Sequence, residues 1–222
     1  MYDLYKEKIM LKEMKKQLIR KTIVAETKKQ FLEKGIRKTT LRDIAKELEI
    51  AFGNIYYYYK SKTDICSVLW VEYTNAYLDF FLKKMNSAEL KEKTGLEKIR
   101  YYYFNLFDYF EKNPLYAELI AFSMGEKPRN TKVPKEMKEI AKTARKRIQD
   151  TLIQIYKEGI ADKSIQAEIT NLYYEAWSFN ISYVAIIINI IRYHEITEDV
   201  YDYYVDTYMK RLAKNGGKNE IV

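Results

Sequence analysis

The chain has 222 residues, 47% of them hydrophobic and 32% charged, an ordinary globular composition with enough apolar surface for one large or two modest domains. Its net charge of +8 is unevenly placed, since residues 1–60 hold 15 Lys and Arg against 8 Asp and Glu (+7) and residues 61–222 hold 24 against 23 (+1). A polyanion is therefore the partner to expect at the N-terminal end. The single cysteine, Cys66, excludes a disulfide framework and any CxxC metal or redox site. The charged start MYDLYKEKIMLKEMKK does not read as a signal peptide. The longest apolar run, Tyr183 to Ile191, contains Asn189 and falls short of the roughly 20 residues a membrane span needs. A cytoplasmic protein with no membrane association is expected.

All three prolines, Pro114, Pro128 and Pro134, lie mid-chain, and alternating strand patterns are missing, so the expected fold class is all-α with about nine helices. A first helix over 4–34 starts lysine-rich and ends at Gly35, a C-cap residue. Then comes TLRDIAKELEIAFGNIYYYYKSK, residues 40–62. Thr40 and Asp43 form a start signal in which each side chain satisfies a backbone donor. Leu41, Ile44, Ala45 and Leu48 recur at helical spacing, and Ile50 closes a tight turn. A second short helix carries Ile55, Tyr56 and Tyr59 inward and leaves Phe52, Asn54, Tyr57 and Tyr58 pointing elsewhere. Two short helices around a tight turn, ending in a tyrosine and lysine surface, read as a helix-turn-helix.

These residues also carry a resemblance. Ile23, Phe31, Gly35, Thr39, Thr40, Asp43, Ile44, Ala45, Gly53, Ile55, Tyr56, Tyr58 and Lys62 stand where the TetR family of transcriptional regulators has its signature, and the run from Gly53 to Lys62 most resembles the recognition helix of its multidrug-binding repressors. The match spans residues 19–65. It departs at Glu49, where the turn usually has Gly, at Ala51, where the second helix usually has a Ser cap, and at Glu26 and Thr27, which replace an Ala pair. Losing the cap costs on the order of 1 kcal/mol locally.

The motif assigns DNA contacts. Gly53 lets the backbone approach a base edge, because a Cβ there would stand between helix and groove. Phe52, Asn54 and Tyr57 are the candidates for base or sugar, and Thr40, Tyr56, Tyr58 and Lys62 for phosphates. Lys12, Lys15, Lys16, Arg20 and Lys21 precede or open the bracing helix and are expected to add affinity more than specificity. A lysine-rich face turned only to solvent is the equal alternative.

A fourth helix starts at the Ser61 cap and runs to about residue 84, joining a DNA-binding domain over 1–60 to an effector-binding and dimerisation domain over 61–222. Residues 86–95 read as a polar loop. Helices follow over 96–112, 114–124, from Pro134 to Gly159, over 166–193 and over 197–214, with a loop over 125–133 and a polar tail after Gly216 and Gly217. In helix 166–193, Trp177, Ile181, Val184, Ile188 and Ile191 make one seam, while Phe179, Tyr183, Ile186 or Ile187, and Ile190 make another. A helix apolar on two faces must be covered on both. With the last helix, whose stripe is Tyr201, Val205, Tyr208 and Leu212, it closes a four-helix bundle between two subunits. The resemblance implies the same homodimer interface.

Chemistry for catalysis is missing from the pattern. His194 is the single histidine and makes neither a metal site nor a relay alone, and the 7 glycines form no phosphate-binding loop. No enzyme, cofactor or metal is expected. The rings of helix 96–112 exceed what one inward face uses. The resemblance implies an effector pocket between this helix, the long helix after it and the first dimer helix. Tyr103, Phe107 and Trp177 are its expected walls, and Asn180 its hydrogen-bonding group, for a flat and largely apolar ligand. The resulting reading is a homodimeric repressor of a short palindromic operator, released by a small effector. The rivals are a helical DNA-binding dimer that answers no ligand and a helical module for protein or membrane surfaces.

Overall fold

The computed structural model describes residues 2–85, 87–125, 135–193 and 198–213. Among the described residues there are ten α-helices and no strand. They are α1 (Tyr2–Lys34), α2 (Leu41–Glu47), α3 (Phe52–Tyr58), α4 (Lys62–Met85), α5 (Ala88–Lys91), α6 (Gly95–Lys112), α7 (Pro114–Gly125), α8 (Lys135–Ala161), α9 (Leu172–Tyr193) and α10 (Glu198–Ala213). Two compact units result, one of residues 1–70 with 119–138, the other of residues 71–118 with 139–222. The first is larger than the 1–60 expected from the motif because it takes in the opening turns of α4 and the end of α7.

In the first unit, α1 ends as its sequence directs. Gly35 adopts a left-handed φ of +81° and donates its N–H to the Phe31 carbonyl at 2.9 Å. The core gathers Ile23, Phe31, Ile44, Ile55, Ile65 and Leu69, all buried, with Thr27 returning its hydroxyl to the Ile23 carbonyl at 2.7 Å. Helix α4 opens on a reciprocal cap. Asp64 N–H donates to Ser61 Oγ at 3.2 Å, and the buried Asp64 carboxylate accepts from the N–H groups of Lys60 and Ser61 at 2.8 and 3.1 Å.

The second unit differs from expectation at three helix starts or ends. The stretch 86–95, read as loop, contains α5 and the first turn position of α6. Thr94 and Glu97 form a capping box there, with the Thr94 N–H donating to Glu97 at 2.9 Å; the hydrogen bonds from Thr94 hold the Glu97 carboxyl below its usual range. Helix α8 passes through Gly159 instead of stopping, and Lys163, with φ +64°, follows its end. Gly159 serves packing: a Cβ on Gly95 would sit 2.0 Å from the Gly159 nitrogen, so α6 and α8 touch through backbone. The first donors of α6 are then met from the chain after α8, Gly95 N–H by Asp162 at 2.7 Å and Leu96 N–H by Ser164 Oγ at 3.0 Å. Helix α9 begins at Leu172 and not at 166, because residues 166 and 167 donate their N–H groups to the Leu212 carbonyl at 2.9 and 3.1 Å. Asn171 Oδ1 caps α9, accepting from Tyr173 and Tyr174 at 3.0 and 3.2 Å.

The interior of this unit is largely tyrosine. Tyr77, Tyr102, Tyr103, Tyr156, Tyr183 and Tyr201 are fully buried. Burying a large side chain contributes roughly 1.5–3 kcal/mol, provided its hydroxyl finds a partner. Tyr77 donates to the Tyr102 carbonyl at 2.7 Å, and Tyr201 and Tyr183 both donate to the Tyr103 carbonyl, the former at 2.6 Å. The stripe Tyr201, Val205, Tyr208 and Leu212 of α10, expected between subunits, is buried within its own chain. Helix α9 holds a 20-residue apolar stretch, Leu172–Ile191, of mean hydropathy 1.2. By length and composition it could cross a membrane, a longer run than the sequence reading found. Buried Ala176, Phe179, Asn180, Tyr183, Ile187 and Ile190 share one face of this helix, and Ile188 is buried beside it. His194, the loop over 126–133, Pro134 and the tail from residue 214 lie outside the described residues.

Candidate DNA interface and effector site

The helix-turn-helix is built from local signals. Thr40 caps α2: Asp43 N–H donates to Thr40 Oγ1 at 3.2 Å, and the Thr40 N–H and hydroxyl donate to Asp43 at 2.9 and 2.7 Å, which holds the Asp43 carboxyl below its usual range. The turn closes where Ile50 N–H donates to the Ala45 carbonyl at 3.0 Å. Glu49, in the place of a glycine, sits at φ +53°, a region that costs a non-glycine residue about 1–2 kcal/mol. Ala51 begins α3 without a side-chain cap, as its missing hydroxyl requires.

Ile55 and Tyr59, four apart, are the buried residues that anchor α3. Tyr56 is not among them. It lies 41% exposed, a correction to its inward placement, because its position is a quarter-turn round from the anchor. Its ring packs edge-on against half-buried Phe52 at 4.8 Å, and the Arg42 guanidinium of α2 covers Phe52 at 5.3 Å. Gly53, Asn54 and Tyr57 are exposed together, Tyr57 at 63%, and a Cβ on Gly53 would meet nothing within 4 Å. Tyr58 is half-buried, its ring edge-on to Tyr57 at 5.0 Å. Lys60 closes the helix by donating to the Tyr56 carbonyl at 2.6 Å.

Lys62 has a different environment from the one expected. Its ammonium donates to the carbonyls of Ile36, Thr39 and Arg37 at 2.7, 3.0 and 3.4 Å and lies 5.4 Å from the centre of the Phe122 ring. It ties α4 to the turn between α1 and α2. Arg42 and Lys60, exposed beside α3, were passed over in the sequence; their adjacency to the motif was the available signal.

In the body, the expected effector residues divide. Tyr103 is fully buried against Phe179 and Tyr183, at ring distances of 4.7 and 4.5 Å, and Phe107 lies 4.4 Å from Tyr201, which in turn touches Tyr183 at 5.0 Å. Asn180 is buried on α9. The Tyr103 hydroxyl and Asn180 Oδ1 are both buried without a hydrogen-bond partner. Burial raises the Tyr103 phenol well above its usual value, so it is a neutral donor. Trp177 stands apart, half-buried on the outer side of α9 towards Ile181, which is 44% exposed. Among the described residues no group of three or more His, Cys, Asp or Glu is placed to hold a metal ion.

Comparison with known proteins points the same way as the geometry. The family model described as bacterial regulatory proteins, tetR family, matches residues 23–67. The biofilm operon negative transcriptional regulator IcaR of Staphylococcus epidermidis is 29% identical over 156 residues, 69% of this chain and 78% of that protein. The transcriptional repressor KstR2 of Mycolicibacterium smegmatis is 24% identical over 139 residues, 63% of each. Among solved structures, Thermus thermophilus FadR in complex with lauroyl-CoA has the same fold, with a TM-score of 0.64 at 14% identity over 90% of this chain and 96% of that one.

Proposed function

We propose that this chain is a DNA-binding transcriptional regulator of the tetR family, a homodimeric repressor of a short two-fold operator that is released by a small, largely apolar effector. The observation that carries the reading is α3. It is a capless helix held by two buried anchors, whose outer edge offers Gly53, Asn54 and Tyr57 in a head of charge +7. An exposed glycine within a helix costs roughly 1 kcal/mol relative to alanine. No neighbour of Gly53 requires it, so the requirement comes from what α3 meets. Gly53, Asn54, Tyr57 and Phe52 are assigned to bases or sugars, and Tyr56, Tyr58 and Thr40 to phosphates. Lys62 is assigned to holding the head in shape, with phosphate contact secondary, since carbonyl groups already surround its ammonium.

Two such heads require two chains. The exposed apolar side chains of α9 and α10, Tyr174, Ile181, Val200 and Tyr203, with half-buried Trp177 and Val184, are assigned to the subunit face. Trp177 thereby leaves the proposed pocket. Tyr103, Phe107 and Asn180 remain, with the orphaned Tyr103 hydroxyl and Asn180 oxygen as the polar contacts for an effector. The IcaR and KstR2 names support repression, and the lauroyl chain of the acyl-CoA bound by FadR supports an effector with an apolar part. An effector need change the spacing of the heads by only about 1–3 kcal/mol of coupling, and α4, one unbroken helix from Lys62 to Met85, is the element to carry it. A cytoplasmic location and the lack of catalysis follow from this role.

The test is enrichment of duplexes from a random pool by the purified protein, followed by a gel shift. A two-fold sequence with half-sites about 34–36 Å apart is expected, and a chain that enriches nothing contradicts the proposal. The ring-on-ring packing at Tyr103 favours one second reading, a DNA-binding dimer that answers no ligand. Native mass spectrometry of the purified dimer separates the two by the presence or lack of a retained small molecule.

A further inference from the structure

Helix α1 is 33 residues long, yet among its residues of described burial, from Lys6 on, the first buried one is Ile23. The preceding 21 residues, Tyr2 to Thr22, extend about 30 Å at 1.5 Å per residue. Packing against the head therefore accounts for the last third of α1 and leaves an arm. That arm is not featureless. Lys8, Lys12 and Lys16 recur every four residues along one face, with Lys15 beside them, and together with Tyr57 and Tyr58 of α3 they line a cleft of about 540 Å³. Leu11 and Ile19 supply apolar wall, and Glu13 is the acidic residue on it.

This arrangement works against the isolated helix. Like charges four apart repel one another. An anion lying along the column relieves that repulsion. The anion must also be elongated, since Lys8 and Lys16 are separated by about 12 Å of helix. The cleft is continuous with Tyr57, the most exposed tyrosine of the recognition helix.

We propose that this cleft seats the sugar-phosphate backbone of double-stranded DNA flanking the half-site. Each arm then lengthens the footprint of its subunit and adds affinity that is indifferent to sequence. The inference rests on the DNA-binding reading above and adds a second contact surface to it. The exposed apolar residues Met14 and Leu18 lie on the same lysine-rich arm, so an anionic membrane surface is the competing occupant.

The experiment compares the full-length chain with the variant Lys8→Gln, Lys12→Gln, Lys15→Gln, Lys16→Gln on a 40-base-pair duplex carrying the enriched operator at its centre. A four-fold glutamine variant at Lys142, Lys146, Lys157 and Lys163, all in the second unit, controls for lost charge. Each lysine seated on a phosphate accounts for about 0.9 in the slope of log affinity against log salt. The arm variant should keep its melting temperature and its preferred sequence. It should lose roughly two or more from that slope per subunit and give a shorter hydroxyl-radical footprint, while the control variant changes neither. An unchanged slope and footprint in the arm variant overturns the proposal, as does a slope lost equally by the control. Arm-dependent binding to phosphatidylglycerol vesicles with DNA binding unaltered overturns it in favour of the membrane. If the unaltered chain enriches no duplex at all, the failure lies with the DNA-binding reading itself.

Discussion

Helix α3 and the body use the same two residue types, tyrosine and glycine, in opposite surroundings. In α3, Tyr56 and Tyr57 lie open and Gly53 has no neighbour within 4 Å of where its Cβ would be. In the body, Tyr77, Tyr102 and Tyr103 are sealed in, and Gly95 is pressed onto the backbone of α8. A glycine or a tyrosine thus says little by itself; its surroundings decide whether it serves the fold or something outside it. Tyr77, Tyr102, Tyr103 and Gly95 are explained by what they touch within the chain. Exposed Gly53 and Tyr57 are not, and the proposed assignment of α3 to DNA rests on that difference.

The comparison breaks most visibly at Gly95. Gly95→Ala places a methyl group where the Gly159 backbone already stands, and overpacking of this kind costs about 1–3 kcal/mol and sometimes more. A fall in melting temperature of several degrees is expected by calorimetry. An unchanged midpoint would show that α6 and α8 do not close on each other as described.

Lys62→Ala should cost about 1–3 kcal/mol in stability, because it leaves the Ile36 and Thr39 carbonyls without their charged donor. Denaturant titration reads that loss. It should come with less than one unit of change in the salt slope of DNA binding. A stable variant that loses a full unit of slope would return Lys62 to the phosphate contacts.

The buried tyrosines predict an alkaline limit. Burial raises the phenols of Tyr77, Tyr102, Tyr103, Tyr116, Tyr156, Tyr201 and Tyr208 above their usual 10.0. A phenol held neutral in the fold contributes stability fully below pH 10 and loses it as pH rises past 10. Tyrosinate absorbance from the body and loss of helical circular dichroism should therefore appear together above about pH 10. Ionisation of these phenols with the helices intact would contradict their burial.

Much of the head was legible in the sequence because its signals are local. Thr40 with Asp43, Gly35, Ser61 and the pair Ile55 and Tyr59 each act within four residues, and the structure uses them as capping or anchoring groups. Tyr56 misled because a seven-residue helix gives too few positions to fix its inward face from spacing alone. The role of Lys62 depends on carbonyl groups 23 to 26 residues earlier in the chain, and the contact of Gly95 with Gly159 spans a still longer separation, so neither carries a local signature. The true start of α9 is set by a distant partner, since no proline or glycine breaks the sequence between Gln166 and Leu172 but the N–H groups of Gln166 and Ala167 are bonded to the Leu212 carbonyl. In the body, the excess of rings over one helix face was visible, while which hydroxyls would find carbonyl partners and which would not, Tyr103 among the latter, required the packed structure.

The smallest change tests the central claim most directly. Gly53→Ala adds one methyl group in open space on a helix, and should raise stability by about 0.5–1 kcal/mol. If α3 is the surface that enters the groove, the same methyl group should weaken operator binding by roughly tenfold or more, the scale of one lost base contact. Melting temperature and operator affinity, measured on one preparation, should therefore move in opposite directions. A variant that is more stable and binds the operator as tightly as before would show that the glycine is not there for DNA, and would contradict the assignment of α3 as the recognition helix.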